Sequence, residues 1–374
     1  MQTVHPAHAE IREVISHYFQ EGRLLEIQPY GGGHINDTFL ITCEAEGCGQ
    51  KRYILQRMNH NIFKNPQLLM ENVINVTEYL RGVILARGGD PDRETLNVVR
   101  TTDGASYYED SSHNFWRVLF YIEDTLCLDQ AETPADFYDS GAAFGNFQRM
   151  LTDYPAETLH ETIPNFHNTV SRFRDFQRAV QEDRAGRASL AAPEIAFALT
   201  RQQEASVLTD ALQKGELPLR VTHNDTKLNN ILFDKATRKA LCIIDLDTVM
   251  PGLSLYDYSD SIRFGASTAA EDETDLNLVE LDLTLFEAFT KGFLEGCGDI
   301  LSENEIRLLP MGAKIITYEC GLRFLTDYLE GDVYFKIHRE NHNLERARTQ
   351  FKLVEDMERK WRRMTDIVEK CRQI

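Results

Sequence analysis

Nowhere in the 374 residues does an uninterrupted apolar segment approach the ~18–20 residues that a membrane-spanning helix needs. No membrane partner is expected. Positive charge is scarce: 40 Lys and Arg stand against 59 Asp and Glu, a formal charge of -19. Such a field repels a nucleic-acid backbone or an anionic membrane surface, so neither is expected to bind, and an anionic ligand must be held by a local cluster of basic groups. Cysteine is sparse and odd in number, seven in all, without paired CxxC spacing. That leaves no zinc-binding pattern and points to a reduced compartment. The opening "MQTVHPAHAEIREVISHYFQEG" lacks the basic region and apolar core of a secretory signal. A cytoplasmic location is expected. Neither a repeat nor a low-complexity tract is visible.

What is present suits an ordinary folded protein of two domains, with 42% hydrophobic and 26% charged residues. Ile11, Val14, Ile15, Tyr18 and Phe19 fall at helical spacing before Gly22. "RLLEIQPY", "DTFLITC" and "KRYILQRM" then read as an antiparallel meander. A helix is predicted over residues 66–80 and a strand at "FWRVLFYIED". A hinge is expected near residues 122–125, and beyond it Thr133 and Pro134 read as the N-cap and first residue of a helix. The rest is mostly helical, apart from a small hairpin at "NILFD" and "ALCIIDLD". Ser302 and Glu305 have capping-box spacing. Leu344, Ala347, Phe351, Val354, Met357, Trp361, Met364 and Val368 read as the core-facing stripe of one last helix. The expectation is an α+β, two-lobed fold: a small antiparallel-sheet lobe over residues 1–122 and a larger, mostly helical lobe over residues 123–374, with ligands favouring the cleft between them.

The stretch "VTHNDTKLNNILFDKATRKALCIIDLD" concentrates the chemistry. Moving a phosphoryl group from ATP to an alcohol needs a carboxylate to orient the hydroxyl, metal ligands to neutralise the phosphates, and cations for developing charge. His223-x-Asp225-x-x-x-x-Asn230 has the spacing of a protein-kinase catalytic loop, in which Asp accepts the hydroxyl proton and Asn binds Mg²⁺. Asp245, at the end of an apolar strand twenty positions after Asp225, suits a second metal ligand. Lys227 is placed to meet the transferring phosphate as a point charge. Asn224, Asn229 and Asp234 are read as turn formers, and His223 as a structural histidine. Asp247 is read as either a supporting contact of the site or an exposed strand end.

These motifs resemble the aminoglycoside phosphotransferase and choline kinase superfamily of small-molecule kinases, and within it most closely the N-acetylhexosamine 1-kinases. "PYGGGHINDTFLI" looks like that family's first turn, "YILQRMN" its third strand, and "RVTHNDTKLNNILFD" through "IDLDTVMPGLSLYDYSDSIRFGAST" its catalytic region. The resemblance implies a kinase-like fold, ATP with Mg²⁺, and phosphorylation of the anomeric hydroxyl of a small sugar substrate, GlcNAc or GalNAc. It places adenine near residues 116–123 and makes Asp257 a brace of the catalytic loop. Gly31, Gly32 and Gly33 would allow close backbone approach to phosphates. His34, Asn36 and Asp37 would either face the ligand or serve as ordinary turn residues, and Arg323 would contact the sugar. Relatives often carry a base where Gln56 stands. Arg57 supplies it if the register is one residue different, although strand alternation would send Arg57 to the other face. Glu71 and Glu78 are partners for such a cation or simply a solvated face. Arg263 is either a ligand-side cation or a surface residue. The alternatives are another alcohol kinase of the same fold, for an aminoglycoside, choline or homoserine, or a nucleotide-binding module without catalysis. A metal-dependent hydrolase has poorer support, since no histidine pair is suitably spaced.

Overall fold

The computed structural model describes residues 8–19, 23–31, 35–45 and 49–373. Gly22, Gly32, Gly33, His34 and Cys48 lie outside the described residues. The chain divides into two compact units: one of residues 1–126, 160–163 and 233–247, the other of residues 127–159, 164–232 and 248–374. Among the described residues no helix is long and apolar enough to cross a membrane, and every cysteine is a free thiol.

The first unit is built on an antiparallel sheet. Strands β1 (Arg23–Pro29), β2 (Asp37–Ala45) and β3 (Gly49–Met58) form the meander expected from their β-branched and aromatic content. The short β4 (Val98–Val99) and β5 (Tyr108–Glu109) both pair with β6 (Phe115–Phe120), which lies beside β3. Alternation sends Ile41, Leu55, Trp116 and Val118 to one face, where Ile11, Val14 and Ile15 of the helix His8–Ser16 seal the core. The helix Pro66–Ala86 runs six residues beyond the predicted stretch, and buries Leu69, Val73, Val76, Leu80 and Ile84. Asn65 caps it, accepting from the Leu68 backbone N–H at 3.2 Å.

β7 (Thr125–Leu126) pairs with β9 (Ile231–Asp234), which also takes β10 (Ala240–Ile243), so the expected hairpin is present. In the second unit β8 (Arg220–Thr222) pairs with β11 (Met250–Gly252). Around them stand helices. Pro134–Met150 opens with the capping box of Thr133 and Asp136 and with proline in its first turn, and Glu303–Glu330 opens with that of Ser302 and Glu305. Pro134–Met150 packs so tightly on Leu283–Cys297 that a Cβ at Gly141 or Gly145 would lie 2.4 or 2.3 Å from the carbonyl oxygen of Phe289 or Phe293. Only glycine permits that approach.

One expected element differs. The closing stripe belongs to two helices, His342–Arg359 and Trp361–Arg372, separated at Lys360. The Lys360 ammonium reaches the Leu281 carbonyl at 2.8 Å and the buried Asp356 carboxylate at 2.7 Å. These bonds hold the junction, while Leu344, Phe351, Val354, Met357, Met364 and Val368 all remain buried. Both helices keep the same phase, so periodicity alone reads them as one.

Candidate active site

In the second unit, the residues after β8 are held by buried groups on every side. The His223 ring is fully buried, edge-on to Phe144 and Phe147 of the tightly packed helix at 5.7 and 6.0 Å. It is a structural histidine, as read from its sequence context. Asn224 adopts a left-handed φ of 65°, which asparagine tolerates better than most residues, and its amide donates to the Thr248 carbonyl at 2.8 Å. The Asp257 carboxylate accepts from the backbone N–H groups of His223 and Asn224 at 3.0 and 2.8 Å, and from the Gln148 amide at 2.5 Å. Burial pushes the Asp257 carboxyl above the ordinary range, against the pull of the His223 charge and these donors. On the far side the Thr226 N–H donates to Asp260 at 3.1 Å, and the Thr226 hydroxyl to the Asp257 carbonyl at 2.6 Å. Asp257 is thus the loop's brace, and Asp260 shares that work.

Between these fixed points Asp225 keeps a side chain 25% exposed, with the Lys227 ammonium 2.8 Å from Oδ1. Asn230 donates its amide to the Asp225 carbonyl at 2.8 Å and to the carboxylate at 3.2 Å. That commits the Asn230 nitrogen and leaves its amide oxygen, a hard donor, without a hydrogen bond among the described residues. Burial works against the Lys227 charge, but Asp225 and Asp260 outweigh it and hold the ammonium well above the usual lysine range. Burial likewise raises Asp260, yet Arg263 and Lys227 prevail and keep its carboxyl below the usual range.

Arg263 is buried rather than on the surface, with its guanidinium 2.9 Å from Asp260 and 2.8 Å from Glu271. Removing one partner of such a pair strands the other charge. Asp260→Asn is therefore expected to lower stability by about 3–5 kcal/mol at neutral pH. Because the carboxyl is depressed in the folded state, its contribution is present above the ordinary carboxyl range and is lost as pH falls through the folded value. The gap between parent and variant in urea titrations should accordingly narrow on acidification; a gap independent of pH would contradict the assignment.

Arg323 lies farther along the helix Glu303–Glu330, its guanidinium 5.4 and 5.5 Å from the ring centres of Phe166 and Phe335. Asp327, one turn on, accepts from the backbone N–H groups of Val333, Tyr334 and Phe335 at 2.7–2.9 Å and shapes the loop that brings Phe335 there. No carboxylate pairs with Arg323 or with Arg172 among the described residues. Burial and the neighbouring Arg323 charge push Arg172 below the usual arginine range.

The first unit carries the remaining predicted residues. β10 ends at Ile243, and Asp245 follows two residues later in a left-handed turn with φ 60°, an uncommon conformation for aspartate. Asp247 is 3% exposed, not an exposed strand end. Its Oδ2 accepts from the Asn36 amide at 2.7 Å, and its Oδ1 forms an ion pair with the Arg117 guanidinium at 2.5 Å. Asn36 also accepts from the Asn59 N–H at 3.0 Å. Gln56 faces Thr38 and Arg117 in the strand register, whereas Arg57 faces Asp37 and Trp116. Arg57 Nε donates to Asp37 at 2.8 Å, so both lie on the face opposite Gln56. Trp116 is fully buried and its indole N–H donates to Asp110 at 2.7 Å. Gly31 takes a left-handed φ of 75° at the mouth of the glycine turn. Glu71 pairs with His160 and Glu78 with Arg100, at 2.8 and 3.1 Å.

Two residues escaped the sequence reading. Asp260 had a usable signal, three positions after Asp257 and three before Arg263 on one helix face. Arg117 had none, because it reads as an ordinary member of an apolar strand.

A profile of the phosphotransferase enzyme family matches residues 26–290, well over half of the chain. The chain belongs to that family. Solved structures agree on the fold. The phosphotransferase is similar to an aminoglycoside phosphotransferase from Alicyclobacillus acidocaldarius, with 12% identity, a TM-score of 0.61 and 100% and 98% of the two chains covered. It is similar to a microcompartment-associated aminopropanol kinase at 15% identity and a TM-score of 0.58, covering 95% and 98%. A choline kinase from Cryptosporidium parvum matches at 13% identity and a TM-score of 0.53, covering 90% of each chain. The kinase-like α+β fold is thereby shown, in a chain of the phosphotransferase enzyme family. At such identities the neighbours speak for fold, not for substrate.

Proposed function

We propose that the chain transfers the γ-phosphoryl group of ATP to O1 of an N-acetylhexosamine, GlcNAc or GalNAc. The observation that carries the phosphotransfer part is the Asp225 carboxylate, held by Lys227 and Asn230 at the tip of a loop whose other polar groups are pinned to Asp257 and Asp260. Asp225 orients the acceptor hydroxyl and takes its proton, and Lys227 keeps a positive charge beside the transferring group. Mg²⁺ fits the donor set. Among the described residues no three His, Cys, Asp or Glu converge on a metal site, but Mg²⁺ commonly takes one or two protein oxygens and completes its shell with phosphate and water. The Asn230 amide oxygen and the Asp245 carboxylate would hold it, and when bound it neutralises phosphate charge. Gly31 to Gly33 would permit close backbone approach to the phosphates, and adenine would bind near residues 116–123.

The acceptor assignment rests on the motif resemblance and on charge. A polycationic aminoglycoside or a quaternary amine calls for carboxylates, whereas among the described residues no carboxylate is in ion-pair contact with Arg323 or Arg172, Glu319 and Asp175 acting on Arg172 only at longer range, which suits the oxygens of a neutral sugar. His34, Asn36, Asp37 and Arg323 are the proposed sugar contacts. A site that pairs its polar groups with hydroxyl and acetamido groups should discriminate against hexoses lacking the acetamido group. The test is ADP release over a panel of sugars, choline, homoserine and aminoglycosides with a no-acceptor control, followed by NMR of the product. Phosphorus coupling to the anomeric proton is expected. Phosphate only on O3, O4 or O6, or activity confined to choline or aminoglycosides, would overturn the acceptor assignment.

A further inference from the structure

Gln56 stands on β3 where related kinases often carry the base that meets the nucleotide phosphates, and a neutral amide cannot do that work. Its register partner on β6 is Arg117. Directly opposed residues of an antiparallel pair share a face, and the Gln56 side-chain oxygen accepts from Arg117 Nε at 2.8 Å. Arg117 Nη1 lies 2.5 Å from Asp247, two positions after Asp245, and 3.9 Å from the Met70 sulfur. The second amino group, Nη2, has no hydrogen-bond partner among the described residues.

A guanidinium buried to 3% exposure is costly unless it is paired and hydrogen-bonded. Here the pairing is supplied by Asp247, while the helix carboxylates Glu71 and Glu78 pair with His160 and Arg100. Asp247 is in turn fixed by Asn36, just after the glycine turn. The chain Thr38–Gln56–Arg117–Asp247–Asn36 therefore holds one cation rigidly, beside the Asp245 turn, with one edge of its fork uncommitted.

We infer that Arg117 is the phosphate-binding cation of the first unit: its Nη2 donates to a phosphate oxygen of the nucleotide, Gln56 orients it, and Asp247 is its counter-ion. The inference rests on the ATP-dependent reading above. It explains Gln56 as the holder of a relocated charge. It also separates Arg117 from Arg57, whose pairing with Asp37 lies on the opposite face.

The experiment measures binding of ATP and of adenosine to the full chain by calorimetry, with thermal melting as a control for folding. Loss of a charge-assisted hydrogen bond predicts that Arg117→Met weakens ATP by roughly 10- to 100-fold while adenosine binds as before. Since that change strands Asp247, a second variant restores a cation on the same face: Gln56→Lys with Arg117→Met should recover at least about tenfold of the ATP affinity. Gln56→Lys alone sets two cations side by side and should weaken ATP binding. Unchanged ATP affinity in Arg117→Met, equal loss of ATP and adenosine, or a double variant that melts like the parent without recovery would each overturn the assignment. A parent chain that binds no nucleotide would overturn the kinase reading and this one together. A parent that binds and transfers, beside an indifferent Arg117→Met, removes only Arg117.

Discussion

Asp225→Asn is expected to lose roughly 10²- to 10⁴-fold in turnover, the range for a group that moves a proton in the transition state. The amide keeps the shape of the carboxylate but cannot take the acceptor's proton. The loop should survive the change, because the N–H groups of His223, Asn224 and Thr226 hang on Asp257 and Asp260 rather than on Asp225. Asn230 still finds the Asp225 carbonyl at 2.8 Å. ATP affinity should therefore stay near that of the parent, and single-turnover kinetics with calorimetry separate the two quantities. Turnover within about twofold of the parent would remove Asp225 from the chemistry.

Asp245→Ala is expected to abolish measurable transfer and to weaken Mg·ATP by roughly 10- to 100-fold or more, since even residues that only support a metal ligand cost that much. Metal-free ATP should bind almost as before. Asp245 holds a left-handed backbone at φ 60°, a conformation that costs an ordinary side chain energy and persists where the surroundings require it. A Gly variant at the same position relieves that backbone cost while also deleting the carboxylate, so Asp245→Gly should fold at least as well as Asp245→Ala and be equally inactive. Titrating both nucleotide forms against each variant checks the assignment. Variants that bind Mg·ATP as tightly as the parent, or that lose affinity for both nucleotide forms equally, would contradict it.

Much of this protein is legible along the chain because the deciding residues are neighbours in it. His223, Asp225, Lys227 and Asn230 lie within one loop, where local turn chemistry and spacing carry the information. The caps at Thr133 and Ser302 are readable for the same reason, each being a contact across three residues. Strand alternation correctly separates Gln56 from Arg57, since successive side chains point to opposite faces.

What the linear text withheld are choices made between distant segments. Periodicity shows that Leu344 to Val368 share a buried stripe, but only the Lys360 bonds to Leu281 and Asp356 show that the stripe breaks there. Likewise, alternation says that Arg117 shares a face with something on β3, yet not that the something is Gln56, nor that Asp247 comes from a distant segment of the chain to balance the charge. A buried guanidinium is settled by where its counter-ion stands, and an ion pair acts over a few ångströms of space without regard to separation along the chain. Local motifs and the resemblance they carry thus pointed to the family and to the Asp225 loop, while register and long-range charge pairing decided which cation stands beside Asp247.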